Sequence, residues 1–146
     1  MIPVTTPGVY ISDIRQGARS VYDQGVITVS KDVAEPVEVV LSADGGRIDG
    51  TVEGADKSSS TARVSLIPEG SRRDNLLLHK RASLVEGRFV LTDIPVGSYK
   101  LYSWEALPAG ADENAEFMAT YEPRGRLVTV RAGVAVPDIA LPLIRR

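Results

Sequence analysis

The stretch GRFVLTDIPVGSYKLYSWE, Gly87 to Glu105, decides the fold class. Phe89 and Leu91 recur at a spacing of two, Pro95 and Gly97 punctuate, and Tyr99 and Leu101 resume the alternation. A period of two is the signature of a strand with one buried face, and Pro and Gly between two such runs mark a tight connection. The reading is strand, turn, strand: a β-hairpin whose Phe89, Leu91, Tyr99 and Leu101 face a core.

Outward from this stretch the same period dominates. Ile48, Gly50 and Val52 alternate with Arg47, Asp49 and Thr51; Ala62, Val64 and Leu66 alternate with Arg63, Ser65 and Ile67; Val128 and Val130 flank Thr129. Turn clusters separate these runs at Ala43–Gly46, Lys57–Ser60, Pro68–Arg73, Glu86–Gly87 and Ala132–Gly133. Strands are expected near 8–14, 26–30, 36–42, 46–54, 61–68, 76–84, 87–93, 97–104, 126–131 and 136–143. Short strands at regular spacing indicate a sandwich of antiparallel sheets. One segment breaks the pattern. In DENAEFMATYE, Asp112 to Glu122, acidic residues lead, and Phe117, Met118 and Tyr121 share one helical face. Pro123 and Gly125 follow, so a short helix is expected near 112–122.

At 146 residues the chain is about one domain, large enough to bury a core. Its 43% apolar and 25% charged residues are those of an ordinary globular protein. A net charge of −2 gives no electrostatic reason to expect nucleic acid as a partner. There is no cysteine, which excludes disulfides, thiolate metal sites and cysteine nucleophiles. No apolar run is long enough for a transmembrane helix, so membrane insertion is not expected of this segment. The N-terminus does not read as a signal peptide.

The first third echoes the last. Gly8-Val9-Tyr10 repeats Gly97-Ser98-Tyr99, with a proline upstream of each. Gly25-Val26-Ile27-Thr28-Val29 repeats Gly125 to Val130, and Thr28 to Pro36 matches Thr129 to Pro137 in separation. Both copies close on an apolar strand, Val37–Leu41 and Ile139–Ile144. The division that follows is a complete module over 44–146, preceded by the C-terminal half of another over 1–43. A half-module has open sheet edges. Residues 1–43 are therefore expected to pair onto the complete module or to be completed by another copy of the chain.

Gly46 to Val52, Ala62 to Leu66 and Gly87 through Leu101 together resemble the carboxypeptidase regulatory-like domains, relatives of transthyretin-like and collagen-binding B-type repeats. The resemblance covers about two-thirds of the chain. Tyr102-Ser103-Trp104-Glu105 and Tyr121-Glu122-Pro123-Arg124-Gly125 look like copies in large bacterial envelope proteins. The resemblance implies an all-β Greek-key β-sandwich of transthyretin-like (prealbumin-like) type. It implies a non-enzymatic structural or interaction module, outside the cytoplasm, with neighbouring domains of a parent protein as partners. Carbohydrate binding is a further inference by fold analogy. Some B-type repeats carry a Lys–Asn cross-link with the Asn on the last strand. The only asparagines here are Asn75 and Asn114, so that bond is not expected.

Candidate sites are few. His79 is the only histidine, and a zinc site needs three or four ligands, so it reads as a solvated strand residue. A serine nucleophile would have only that imidazole as its base. Glu105, Asp112, Glu113, Glu116 and Glu122 cluster in sequence but read as a solvated acidic loop with capping roles, without the spacing of a calcium loop. No cofactor and no metal is expected. Alternation points Tyr102 and Trp104 away from Tyr99 and Leu101. Two readings follow. In the favoured one, the helix at 112–122 covers these rings and makes a minor outer core. In the other, Tyr102, Trp104, Glu105 and Tyr121 form an open platform for a glycan or a peptide.

Overall fold

The structure is a computed structural model that describes residues 7–32, 34–56 and 61–145. It is all-β with one short α-helix. Seven strands form one hydrogen-bonded sheet, six of them in a continuous path: β4 (Gly46–Glu53), β5 (Arg63–Pro68), β6 (Lys80–Ser83), β7 (Arg88–Ile94), β8 (Gly97–Trp104), β9 (Arg126–Val130) and β10 (Ala135–Ile144). The order is β6-β5-β8-β10-β4-β7, with β9 beside β8. β10 joins the two halves. Its first part runs parallel to β4, and Leu143 and Ile144 then run parallel to Ser103 and Trp104 of β8. The path's two ends, β6 and β7, are joined by a two-residue turn in which Val85 and Arg88 exchange backbone hydrogen bonds of 2.8 and 3.0 Å. Glu86 and Gly87 both take positive φ there, the requirement of a type I′ turn. The sheet is thus nearly barrel-shaped around a core that includes Ile48, Val64, Leu66, Phe89, Leu91, Ile94, Tyr99, Leu101, Val130 and Leu141.

The deciding stretch forms the two expected strands, but not a hairpin. β7 pairs with β4, while β8 pairs with β5 and β9. Pro95, buried, and Val96, exposed, connect the two strands at the rim of the core, so that they join different ladders. Proline has no N–H for a ladder, and the Tyr99 hydroxyl donates to the Pro95 carbonyl at 2.7 Å, locking the connection from inside. Phe89 and Tyr99 therefore do face the same core, from opposite sides.

Residues 10–42 make a separate three-stranded antiparallel sheet, β2-β1-β3, from β1 (Tyr10–Gln16), β2 (Arg19–Ser20) and β3 (Val37–Ser42). It docks on the larger sheet through a small core of Ile14, Val21, Tyr22 and Leu78. Asn75 donates to the Tyr22 carbonyl, and Arg72 pairs with Asp23 at 2.9 Å. The strand expected at 26–30 is not formed. Thr28 instead exchanges two hydrogen bonds with the Gln16 side chain, which leaves Val26, Ile27 and Val29 exposed. The strand expected over 76–84 begins as a 3-10 turn, Leu76–Leu78, capped by Asn75, and only Lys80–Ser83 is extended. β1 and β3 pair antiparallel, whereas β8 and β10, their counterparts in the sequence echo, meet in parallel. The turn expected at Lys57–Ser60 lies outside the described residues.

Candidate functional site

The outer face of β5 and β8 carries the groups singled out in the sequence. Antiparallel pairing sets directly opposite residues on the same side. Arg63 faces Trp104, Ser65 faces Tyr102 and Ile67 faces Lys100; across β6, Ser83 joins the first row and Arg81 the second. α1 (Ala115–Tyr121) lies over this face. Asn114 is its N-cap, accepting from the Phe117 N–H at 2.9 Å. Flanking 3-10 turns, Ala111–Glu113 and Glu122–Arg124, fill out the expected 112–122 segment.

Tyr102, Trp104, Ile67, Met118 and Ile144 form a second core, edged by Leu107, Phe117 and Tyr121. Trp104 is 0% exposed. Its ring stacks on Tyr102 at 5.7 Å between centroids and meets the Tyr121 ring edge-on at 5.0 Å. The minor outer core is therefore what forms, and β5 is buried on both faces. Of the four residues considered as a binding platform, Trp104 and Tyr102 are buried and Tyr121 is half-buried. Glu105 is exposed at the margin, 3.5 Å from the Arg145 guanidinium. The indole leaves no open ring face for a sugar to stack on.

Two polar networks edge the aromatic cluster. The Trp104 indole N–H donates to the Ser65 hydroxyl at 3.2 Å, and Ser65 donates to Asp112 Oδ2 at 2.6 Å. Arg81 donates to both Asp112 oxygens, at 2.8 and 2.7 Å, and to Glu113 at 2.6 Å. Asp112 is 3% exposed, so it is neither the helix cap nor a solvated loop carboxylate. Burial pushes its carboxyl up, but the hydrogen bonds from Arg81 and Ser65 and the Arg81 charge outweigh burial and hold it below the ordinary carboxylate range. In the second network Glu122 accepts from Lys100, from Arg73 at 3.1 Å and from the Tyr102 hydroxyl at 3.2 Å. The Lys100 bond foremost, then Arg73, depresses its pKa despite some burial. Of the five carboxylates that cluster in sequence, four pair with cations: Asp112 and Glu113 with Arg81, Glu122 with Lys100 and Glu105 with Arg145; Glu116 is exposed in the first turn of α1.

His79 is not a solvated strand residue. It caps the 76–78 turn, and its Nε2 lies 2.7 Å from the Arg73 carbonyl. Among the described residues no group of three or more His, Cys, Asp or Glu is arranged to hold a metal ion. No helix among them is long and apolar enough to cross a membrane.

Beside the outer core lies an open cleft of about 310 Å³, lined by Arg63, Arg81, Ser83, Leu107, Pro108 and Asp112 among others. Sequence reasoning missed this cleft and the Ser65–Asp112–Arg81 chain. Alternation separates Ser65 from Val64 and Leu66, and 76–84 is expected as a strand, but nothing local to either segment shows which element lies alongside.

No family model matches the chain, and no curated protein matches it. Among solved structures it is similar to a proposed carbohydrate-binding protein from Pseudomonas aeruginosa, at 19% identity and a TM-score of 0.44, over 68% of this chain and 88% of that one. It is also similar to the Bacillus anthracis TIE protein, at 15% identity and a TM-score of 0.37, over 74% of this chain and 19% of that one.

Proposed function

We propose that the chain is a non-enzymatic structural and interaction module of a larger bacterial cell-envelope or secreted protein. In this reading the nearly closed sheet is a Greek-key sandwich of transthyretin-like, carboxypeptidase regulatory-like type. Residues 44–146 are then the complete module and 1–43 the C-terminal half of a preceding one. The observation that carries the reading is the engagement of Trp104. Its ring is buried by α1, and its N–H begins a chain through Ser65 and Asp112 to Arg81. An aromatic used this way holds an element in place.

A second reading, carbohydrate or peptide binding, draws on the adjoining cleft, with Arg63, Arg81 and Ser83 on one side and Leu107 and Pro108 on the other. Glycan and peptide arrays probed with the intact chain separate the two. The module reading predicts no array signal that disappears in Leu107→Ala or Ser83→Ala. A saturable signal lost in those variants, with melting unchanged, would replace it by the binding reading. Turnover of a substrate by the purified chain would overturn both.

A further inference from the structure

The connection between β5 and β6, residues 69–79, has contacts on two sides. Towards the small sheet, Arg72 donates to Asp23 at 2.9 Å and lies 5.5 Å from the centre of the Tyr22 ring. Ser71 donates to the other Asp23 oxygen at 3.4 Å, and Asn75 donates to the Tyr22 carbonyl. Leu78 completes the core of Ile14, Val21 and Tyr22. The fit is close: a Cβ on Gly25 would sit 2.7 Å from the Asn75 side chain. Towards the outer face, Arg73 donates at 3.1 Å to Glu122, the C-cap of α1. Arg73, Asp74 and His79 line one narrow gap together with Asn114, Ala115 and Met118 of the α1 region. Two adjacent arginines thus hold different partners, one on the small sheet and one beside α1.

Within the connection only Asn75 and Leu78 are buried, and both face the small sheet. Its local hydrogen bonds come from two short 3-10 turns, Gly70–Arg72 and Leu76–Leu78, whose bond geometry is weaker than that of an α-helix. Ordering such a segment costs more conformational entropy than two buried side chains return. Its order therefore depends on contacts from both sides. His79 Nε2 meets the Arg73 carbonyl at 2.7 Å, which ties the two ends of the segment together. Loosening at Asn75 and Leu78 thus reaches Arg73 and His79, the groups set against the α1 region. We propose that residues 69–79 couple the small sheet to α1, so that α1, the cover of the outer aromatic core, loosens when the small sheet does. Such a coupling is a free energy shared by two places and acts in both directions. It goes beyond the module reading and needs no ligand.

Amide hydrogen exchange in the intact chain tests this, because local openings are read element by element. Val21 packs in the small core and not in the outer one, so Val21→Ala loosens the small sheet alone in the first instance. The amides of α1 should then exchange about threefold faster. Those of Val85 and Arg88, which close the turn between β6 and β7 away from both bodies, should keep their rates. Asp23→Ala removes only the partner of Arg72 and Ser71 and should speed α1 about twofold. In the reverse direction, Asn114→Ala weakens α1 and should speed exchange in β1 about twofold. Unchanged α1 rates in both small-sheet variants, or unchanged β1 rates in Asn114→Ala, would overturn the proposal. Equal acceleration of α1 and of the Val85 and Arg88 amides would mark general loosening and overturn it too. Should Val21→Ala fail to fold, Asp23→Ala decides.

Discussion

Trp104 acts both as ballast and as a donor. Its ring fills the space between β8 and α1, and its N–H fixes the Ser65 hydroxyl, which is thereby aimed at Asp112. These roles separate by substitution. Trp104→Ala removes both and should cost about 4 kcal/mol in urea unfolding, as for other buried aromatics. Trp104→Phe keeps most of the packing and should cost about half of that, because a buried hydroxyl loses its donor. Gly125 illustrates close approach. A Cβ there would sit 2.6 Å from the Tyr102 ring, so Gly125→Ala should destabilise by roughly 1–3 kcal/mol through overpacking. At this scale the sequence is informative about direction. The alternation through Tyr99, Leu101 and Trp104 does separate inward from outward side chains. It carries no sign that Asp112, ahead of a helix, would be buried instead of capping it.

Between elements, the contact that matters most is α1 on the outer face, which is held by a cap and a pinned carboxylate. Asn114→Ala removes the N-cap and should cost about 1 kcal/mol, read from thermal melting. Arg81→Ala unpairs a buried carboxylate. Because Arg81 is itself 42% exposed, the loss should be about 2 kcal/mol, below that of a fully buried pair. Strand positions were largely legible, since burial on one face imposes a period of two on β4, β7 and β8. Strand partners were not. Gly87 to Glu105 reads equally well as a hairpin or as a connection between two ladders, because local pattern specifies which side chains point inward and not which ladder the backbone joins. The segment 26–30 has the composition of a strand, but Gln16 takes the backbone groups of Thr28 that a neighbouring strand would have used.

For the molecule as a whole, the two depressed carboxyls set a pH dependence. Asp112 and Glu122 bind protons more weakly when folded than when unfolded. Their contribution is fully present above the ordinary carboxylate range and is lost as pH falls through and below about 4. Unfolding free energy measured against pH should decline there, and less steeply in Asp112→Asn. The all-β class and the single helix were readable because both follow from periodicity. The near-closure of the sheet depends on the Glu86–Gly87 turn between β6 and β7, which the sequence does mark as a turn, and on β10 bridging the two halves, a long-range pairing that leaves no local trace. The account rests on the outer aromatic face being a second core. Trp104 is the only tryptophan, so acrylamide quenching of the native chain's fluorescence measures this directly. A blue-shifted emission, quenched several-fold less than free tryptophan amide, is the predicted result. A red-shifted emission, quenched as readily as the free amide, would contradict it.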